Sequence, residues 1–200
     1  MPLAVRVVIA EDEAIVRLDL KEILEEEGYE VVGDTGRGDE AVSLVREHRP
    51  DLAILDVKMP GMDGLTAARE IAGERLSAVL ILTAFSQRNL IEEARDAGAL
   101  AYLVKPFQAS ELIPAIEVAL ARHAEMEALS SANEALEGEN QRLTDSVETS
   151  RLVNRAKGLL MDECGLKEAE AFDFIQKSAM RQRLRMKEVA RRVIEEDLRP

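Results

Sequence analysis

Glu11, Asp12 and Glu13 in one run, then Asp56, Thr83 and Lys105 far apart along the chain, are the residue types that could do chemistry together. Carboxylates gathered at one point repel each other and are tolerated when a cation neutralises them. Hard oxygen ligands with few protein contacts favour Mg²⁺, which keeps several of its waters and readily shares a phosphate. A lysine brings a second positive charge, and a threonine hydroxyl can donate to an anionic oxygen. The implied chemistry is a cation and an anionic, phosphate-like group meeting beside a carboxylate. Nothing in it resembles a hydrolase. His48 and His123 fall at the ends of helical patterns, and the acidic group has no chemical partner beyond Lys105, so an enzyme is not expected.

These residues need elements that bring them together. Apolar runs recur at 5–10, 52–55, 78–82 and 101–104, with a weaker one at 30–33. Runs apolar throughout, not alternating, belong to parallel strands covered on both faces. Helical patterns lie between them: Val16, Leu20, Ile23 and Leu24 before Gly28; Ala41, Val42, Leu44 and Val45 before Pro50; Leu65, Ala68, Ile71 and Ala72; then Leu90, Ala94 and Ala97 before Gly98. Ser86 is the expected cap of the fourth helix and Ser110 of the fifth. Five strands alternating with five helices predict an α/β, doubly wound five-stranded parallel sheet. The crevice of such a sheet lies at the carboxyl ends of its strands. Glu11-Asp12, Asp56, Thr83 and Lys105 each stand at such an end.

Composition sets further bounds. The longest apolar run, 97–104, is far short of the roughly 20 residues of a spanning helix, so no membrane segment is expected. One cysteine, Cys164, forms no intrachain disulfide, and a cytoplasmic protein is the expectation. The net charge of −13 is unevenly spread: residues 1–150 carry 14 basic and 30 acidic side chains, residues 151–200 carry 12 and 9. Such asymmetry points to two jobs.

With Glu11-Asp12, Asp56, Thr83 and Lys105-Pro106 at successive strand ends, the first 122 residues resemble the receiver domain of two-component response regulators, a flavodoxin-like fold. The resemblance implies that Asp56 accepts a phosphoryl group from a sensor histidine kinase. Mg²⁺ would be arranged by Glu11, Asp12, Asp56 and the backbone carbonyl of Lys58. Thr83 and Lys105 would bind the phosphoryl oxygens, Lys105-Pro106 would be cis, and Tyr102 would be the ring that turns inward on activation. As a residue, Tyr102 reads equally as an ordinary half-buried tyrosine, and Phe85 and Phe107 read as packing. Glu11 departs from the commoner aspartate, lengthening the reach to a metal.

Residues 123–149 read as a helical linker continuing the fifth helix. Met126, Asn133, Asn140 and Val147 occupy a positions of a heptad, and Leu129, Leu136 and Leu143 occupy d. Asparagine at a favours a parallel, in-register dimer. The seam is short, Glu137, Glu139, Ser130 and Thr144 offer no complementary charges, and Gly138 weakens it. A homodimer through a coiled coil and an amphipathic linker packed on its own domains are both open.

Residues 150–200 read as three short amphipathic helices at 151–162, 168–183 and 186–196, able to close a small bundle. The second presents Ala171, Phe172, Ile175 and Ala179 on one face, the third Met186, Val189, Ala190 and Val193. Basic residues at 151–157 and 177–192 face either nucleic acid or the chain's own acidic part. No aromatic lies in the basic stretch, so any base stacking would use arginine planes. The run Arg151, Arg155-Ala156-Lys157-Gly158, then Glu170-Ala171-Phe172, Ala179-Met180-Arg181 and Val189-Ala190 is similar to the ANTAR family of RNA-binding output domains. That resemblance implies binding of RNA stem-loops in leader transcripts through Arg151, Arg155, Lys157, Arg181 and Arg183, with transcription antitermination as the outcome. Ala156, Gly158, Ala171, Ala179 and Ala190 are expected to serve close helix packing. Lys167 stands where a capping Ser or Thr is common, so the second helix is expected to start less firmly.

The expectation is a phosphorylation-controlled antiterminator. Its rivals are a DNA-binding response regulator and a protein-sequestering relay that touches no nucleic acid. For the first, the third helix offers mostly Arg, Glu and core residues in place of polar groups suited to base edges.

Overall fold

Parallel pairing carries each chemical residue to one edge of a sheet. The structure, a computed structural model, describes residues 4–84, 88–195 and 197–200, and for 88 and 89 the backbone alone. β1 (Arg6–Ala10), β2 (Glu30–Thr35), β3 (Leu52–Asp56), β4 (Ala78–Thr83) and β5 (Ala101–Val104) form one five-stranded parallel sheet in the order β2-β1-β3-β4-β5. Ala10 lies opposite Leu55, Asp56 opposite Leu82, and Thr83 opposite Val104. Glu11, Asp56, Thr83 and Lys105 therefore emerge at nearly one level, along the carboxyl ends of neighbouring strands. β2 runs two residues beyond the expected 33, because Ala10 pairs with Thr35.

The three inner strands β1, β3 and β4 are buried on both faces, as their unbroken apolar character requires, while the edge strands β2 and β5 are only partly covered. Alternate residues feed two cores. Val8, Ala10, Ala53, Leu55, Val79 and Ile81 pack with α2 (Gly38–His48), α3 (Gly64–Gly73) and α4 (Arg88–Asp96). Val7, Ile9, Leu52, Ile54, Leu80 and Leu82 pack with Leu20 and Leu24 of α1 (Ala14–Glu26) and with Leu112, Ile116 and Ala119 at the start of α5 (Ala109–Cys164). Phe107 packs partly buried against that second core. Gly28 and Gly98 follow α1 and α4 at φ of 87° and 86°, the left-handed stop that glycine adopts without strain. Pro50 does not itself end α2, since Arg49 takes a left-handed cap ahead of it.

Several local expectations are corrected. Ser110 sits inside the first turn of α5, and the cap falls on Gln108. Its carbonyl accepts from Glu111 and Leu112, and its N–H donates to Glu111 Oε2 at 3.0 Å. The expected cap at Ser86 and packing at Phe85 lie outside the described residues. Among the described residues no helix is long and apolar enough to cross a membrane.

The chain divides into two units, Met1–Leu129 and Ser130–Pro200, with the division inside α5. In the second unit the expected separate helix at 151–162 is instead the end of α5, which closes before Gly165 (φ 67°). It packs with α6 (Glu168–Gln182) and α7 (Met186–Ile194) around Val153, Ala156, Leu160, Ala171, Ile175, Ala179, Val189, Ala190 and Val193. Phe172 is not on that core face: it is 41% exposed, and Phe174 packs partly buried in its place. Gly158 serves no close approach, because a Cβ there would meet nothing within 4 Å. α6 does not start loosely, since the N–H of Lys167 donates to Glu170 Oε2 at 2.8 Å, half of a capping box. α7 ends at Ile194, short of the expected 196, and residue 196 lies outside the described residues.

Candidate functional site

At the carboxyl edge of the sheet, Glu11 is fully buried, Asp56 and Thr83 nearly so, and Asp12 is exposed at the rim. Lys105 reaches from the end of β5 to contact two carboxylates, Asp56 Oδ1 at 2.8 Å and Glu11 Oε2 at 2.5 Å. The second contact is short but poorly directed, so that among the described residues Oε2 accepts no well-aligned hydrogen bond although it lies against the ammonium. The backbone places the lysine. Its N–H donates to the Thr83 carbonyl at 2.8 Å, and the following Lys105-Pro106 bond is cis.

Asp56 is fixed from both sides. Val57 N–H continues the ladder to the Leu82 carbonyl, and Lys58 N–H turns back to donate to Asp56 Oδ2 at 3.0 Å. The next turn must come close, because a Cβ on Gly64 would lie 1.9 Å from the Asp56 carbonyl oxygen. No other residue type fits there. Asp63 then caps α3 by accepting from Thr66 N–H at 2.9 Å and Thr66 Oγ1 at 2.7 Å.

One ligand atom from each of Glu11, Asp12 and Asp56 lies within 4.8 Å of the others. The arrangement is electrostatically unsatisfied without positive charge. Burial first, and then the Asp56 charge, raise the Glu11 carboxyl above its ordinary value although Lys105 pulls it the other way. Burial would depress Lys105, but its hydrogen bond to Asp56, its close contact with Glu11 and the charge of both outweigh this and hold it above its usual value. Converging carboxylates, one with a buried oxygen lacking a directed donor, fit a hard divalent cation. A pocket of about 180 Å³ opens on them, lined by Asp12, Glu13, Asp56, Lys58, Thr83 and Lys105. That volume holds about six waters' worth of material, room for a hydrated ion and a phosphoryl group.

Tyr102 is not a core residue but is about half-buried. It is 44% exposed on β5, at the edge of a recess lined by Ile91, Ala94, Ala99 and Leu100.

The basic residues of the second unit fall into two groups. Lys157 pairs with Glu168 at 2.7 Å, and Lys187 with Asp145 at 3.2 Å and Glu148 at 2.5 Å. Arg191 also reaches Glu148, at 2.7 Å. Arg151, Arg155, Arg181 and Arg183 are exposed and have no ion pair among the described residues. Charge along the sequence could not separate the groups, since the partners lie up to 43 residues away. Leu136, Leu143 and Val147 are each 57% exposed, as is Met126, with Leu129 at 61%. Asp145 and Glu148 occupy f and b of that heptad, opposite its a/d seam.

The sequence pattern gave no sign of Arg17. Its guanidinium donates to the Glu11 carbonyl at 2.5 Å and to Asp34 Oδ2 at 3.2 Å.

Comparison with known proteins agrees with this geometry. Residues 7–117 match the response regulator receiver domain family and residues 141–194 the ANTAR domain family. The chain is 56% identical over 190 residues to the transcriptional regulatory protein PdtaR of Mycobacterium tuberculosis (strain ATCC 25618 / H37Rv), covering 95% of this chain and 89% of that protein. Among solved structures it resembles the signal receiver domain of the putative response regulator NarL from M. tuberculosis, with TM-score 0.58, 30% identity, and coverage of 60% of this chain and 98% of that one. It also resembles a CheX–CheY–BeF3–Mg²⁺ complex from Borrelia burgdorferi, with TM-score 0.54, 25% identity, and coverage of 56% and 86%. Register, converged carboxylates and both family matches lead to one statement: the chain belongs to the response regulators that join a receiver domain to an ANTAR domain.

Proposed function

We propose that Asp56 is the phosphoacceptor of this regulator and that its phosphorylation controls binding of the ANTAR unit to RNA stem-loops, producing transcription antitermination. The observation that carries the reading is Lys105 bridging Asp56 and Glu11 in a pocket where three carboxylate ligand atoms lie within 4.8 Å of one another. In the transfer a bond forms between an Asp56 carboxylate oxygen and phosphorus as the P–N bond of a sensor kinase phosphohistidine breaks. The leaving imidazole takes up a proton from solvent. Glu11, Asp12, Asp56 and the Lys58 backbone carbonyl would hold Mg²⁺, which when bound neutralises charge on the transferring group. The solution of a structural relative with BeF3 and Mg²⁺ supports that assignment.

Thr83 and Lys105 then face the phosphoryl oxygens, where the carboxylate's single charge has been replaced by the roughly twofold negative charge of a phosphoryl group. Tyr102, outward in this structure, is the group free to rotate inward beside Thr83. The regulator works in the cytoplasm, receiving its phosphoryl group from a sensor histidine kinase, and the domain limits are 1–122, 123–149 and 150–200.

The output contacts are Arg151, Arg155, Arg181 and Arg183, with Lys157 held by Glu168 until RNA competes for it. Homodimer formation along 126–147 is the step we favour for coupling. The exposed leucines leave the seam open, and the ion pairs to Asp145 and Glu148 use the opposite side of the helix. Pairing therefore need not displace α7.

Two measurements test the reading. Incubation with acetyl phosphate and Mg²⁺ should label the chain, and Asp56→Ala should abolish the label; retained labelling would remove the phosphoacceptor assignment. A gel-shift series comparing stem-loop RNA with duplex DNA should favour RNA, and preference for the duplex would support the DNA-binding rival.

A further inference from the structure

We infer that Arg17 is a positioning residue for the metal site, holding the turn that carries Glu11 and Asp12 through a guanidinium shared between the Glu11 carbonyl and Asp34. The inference rests on the reading that these carboxylates hold Mg²⁺.

The turn between β1 and α1 needs an outside support. Glu13 occupies the N-cap of α1 but makes no side-chain cap hydrogen bond, so the usual lock on a helix start is missing. One end of the run is fixed, because Glu11 N–H donates to the Thr35 carbonyl at 2.9 Å. Beyond that point Glu11 Oε1 accepts a long bond from Glu13 N–H, at 3.3 Å.

Arg17 supplies the second anchor from within α1. Nη1 donates to the Glu11 carbonyl at 2.5 Å, and Nε donates to Asp34 Oδ2 at 3.2 Å, tying the turn to β2. The head is enclosed as well as bonded. Its side chain is 23% exposed, and Gly36 passes so close that a Cβ there would lie 3.2 Å from Nη1 and 3.6 Å from Asp12 Cα. A planar guanidinium can serve the carbonyl and the carboxylate at once, each from its own nitrogen, where a lysine ammonium is a point charge.

Lys21 provides an internal comparison. It pairs with the same Asp34, at 3.4 Å, but no hydrogen bond from it reaches Glu11 among the described residues. If Asp34 mattered only as a partner for surface cations, Arg17 and Lys21 would be equivalent. If the link to Glu11 is what matters, only Arg17 should affect the metal.

Groups that orient metal ligands without touching the metal typically change its affinity by about 10- to 100-fold when removed. The test is an amide-shift NMR titration of the full chain with Mg²⁺ alone, on wild type, Arg17→Ala, Arg17→Lys, Arg17→Met and Lys21→Ala, paired with acetyl phosphate labelling across Mg²⁺ concentrations. Arg17→Ala should raise the Mg²⁺ dissociation constant about tenfold or more, with the labelling rate at saturating Mg²⁺ within about twofold of wild type. Arg17→Lys should recover part of the affinity, and Lys21→Ala should shift it less than about twofold. A purely structural role would lower the melting temperature and leave the dissociation constant of the folded protein unmoved, and that result overturns the inference. Should Arg17→Ala fail to fold, Arg17→Met, which keeps the stem and removes every donor, gives the same decision: weaker Mg²⁺ binding supports the positioning role, unchanged binding refutes it. If wild type itself shows no Mg²⁺ shifts, the metal assignment for the site has failed, a different outcome from unchanged affinity in the variants.

Discussion

Both halves of the molecule set lysines against paired carboxylates, yet the two settings differ in kind. At the sheet edge Lys105 sits between Glu11 and Asp56, whose side chains are 0% and 8% exposed. In the helical unit Lys187 lies between Asp145 and Glu148, which are 52% and 43% exposed. A buried charge separated from its partner is costly, so the first cluster is rigid and its geometry is available for chemistry. Exposed pairs are worth little and are screened by salt, so the second cluster can exchange partners. One setting is rigid and shielded from salt, the other exposed and screened by it.

The largest effect expected from this contrast is on Lys105. Lys105→Ala removes the cation from the reacting edge, and acetyl phosphate labelling should slow by about 100-fold, the usual scale for losing a charge-stabilising donor. A loss below about threefold would mean that the buried pair is architectural only.

An intermediate effect is expected from the unpaired arginines. Arg151→Ala with Arg155→Ala should weaken stem-loop RNA binding about tenfold near 0.1 M salt and reduce the log–log salt slope by about 2, one for each phosphate that an arginine no longer neutralises. An unchanged slope would place the RNA on another surface.

The smallest effect belongs to the exposed clamp. Hydrogen bonds from Lys187 and then Arg191 hold the Glu148 carboxyl below its ordinary value. A depressed carboxylate contributes stability above its unfolded value, about 4.3, and loses it as pH falls through the lower folded value. Glu148→Gln should therefore leave thermal unfolding nearly unchanged at high salt, and any difference from wild type at low salt should begin to shrink as pH falls below about 4.3 and vanish only below the lower folded value. A large, salt-independent loss would show that this clamp resembles the buried one.

The two regions also differed in what could be read from sequence. Glu11, Asp56, Thr83 and Lys105 were legible because strands buried on both faces are apolar without interruption. The first polar residue after each run then marks its carboxyl end, and parallel register does the rest. Cap and face assignments were less legible. Ser110 has the right chemistry for a cap, but Glu111 reaches back to Gln108 and moves the helix start. Phe172 and Phe174 are two residues apart on α6, and the helical period alone did not decide which turns inward. Gly158 is small for no packing reason visible in the structure. The partition of the cations was illegible because it depends on pairs such as Lys187 with Glu148, 39 residues apart. Arg17 escaped notice for a similar reason, since its role depends on Asp34 and the close passage of Gly36.

The central claim is that events at Asp56 govern the basic helical unit. Its most direct test is the dissociation constant for a stem-loop RNA, measured on wild type and Asp56→Ala with and without acetyl phosphate and Mg²⁺. The account predicts that treatment tightens binding by wild type and leaves Asp56→Ala unchanged. Equal tightening in both proteins, or none in wild type that has been fully labelled, would contradict it.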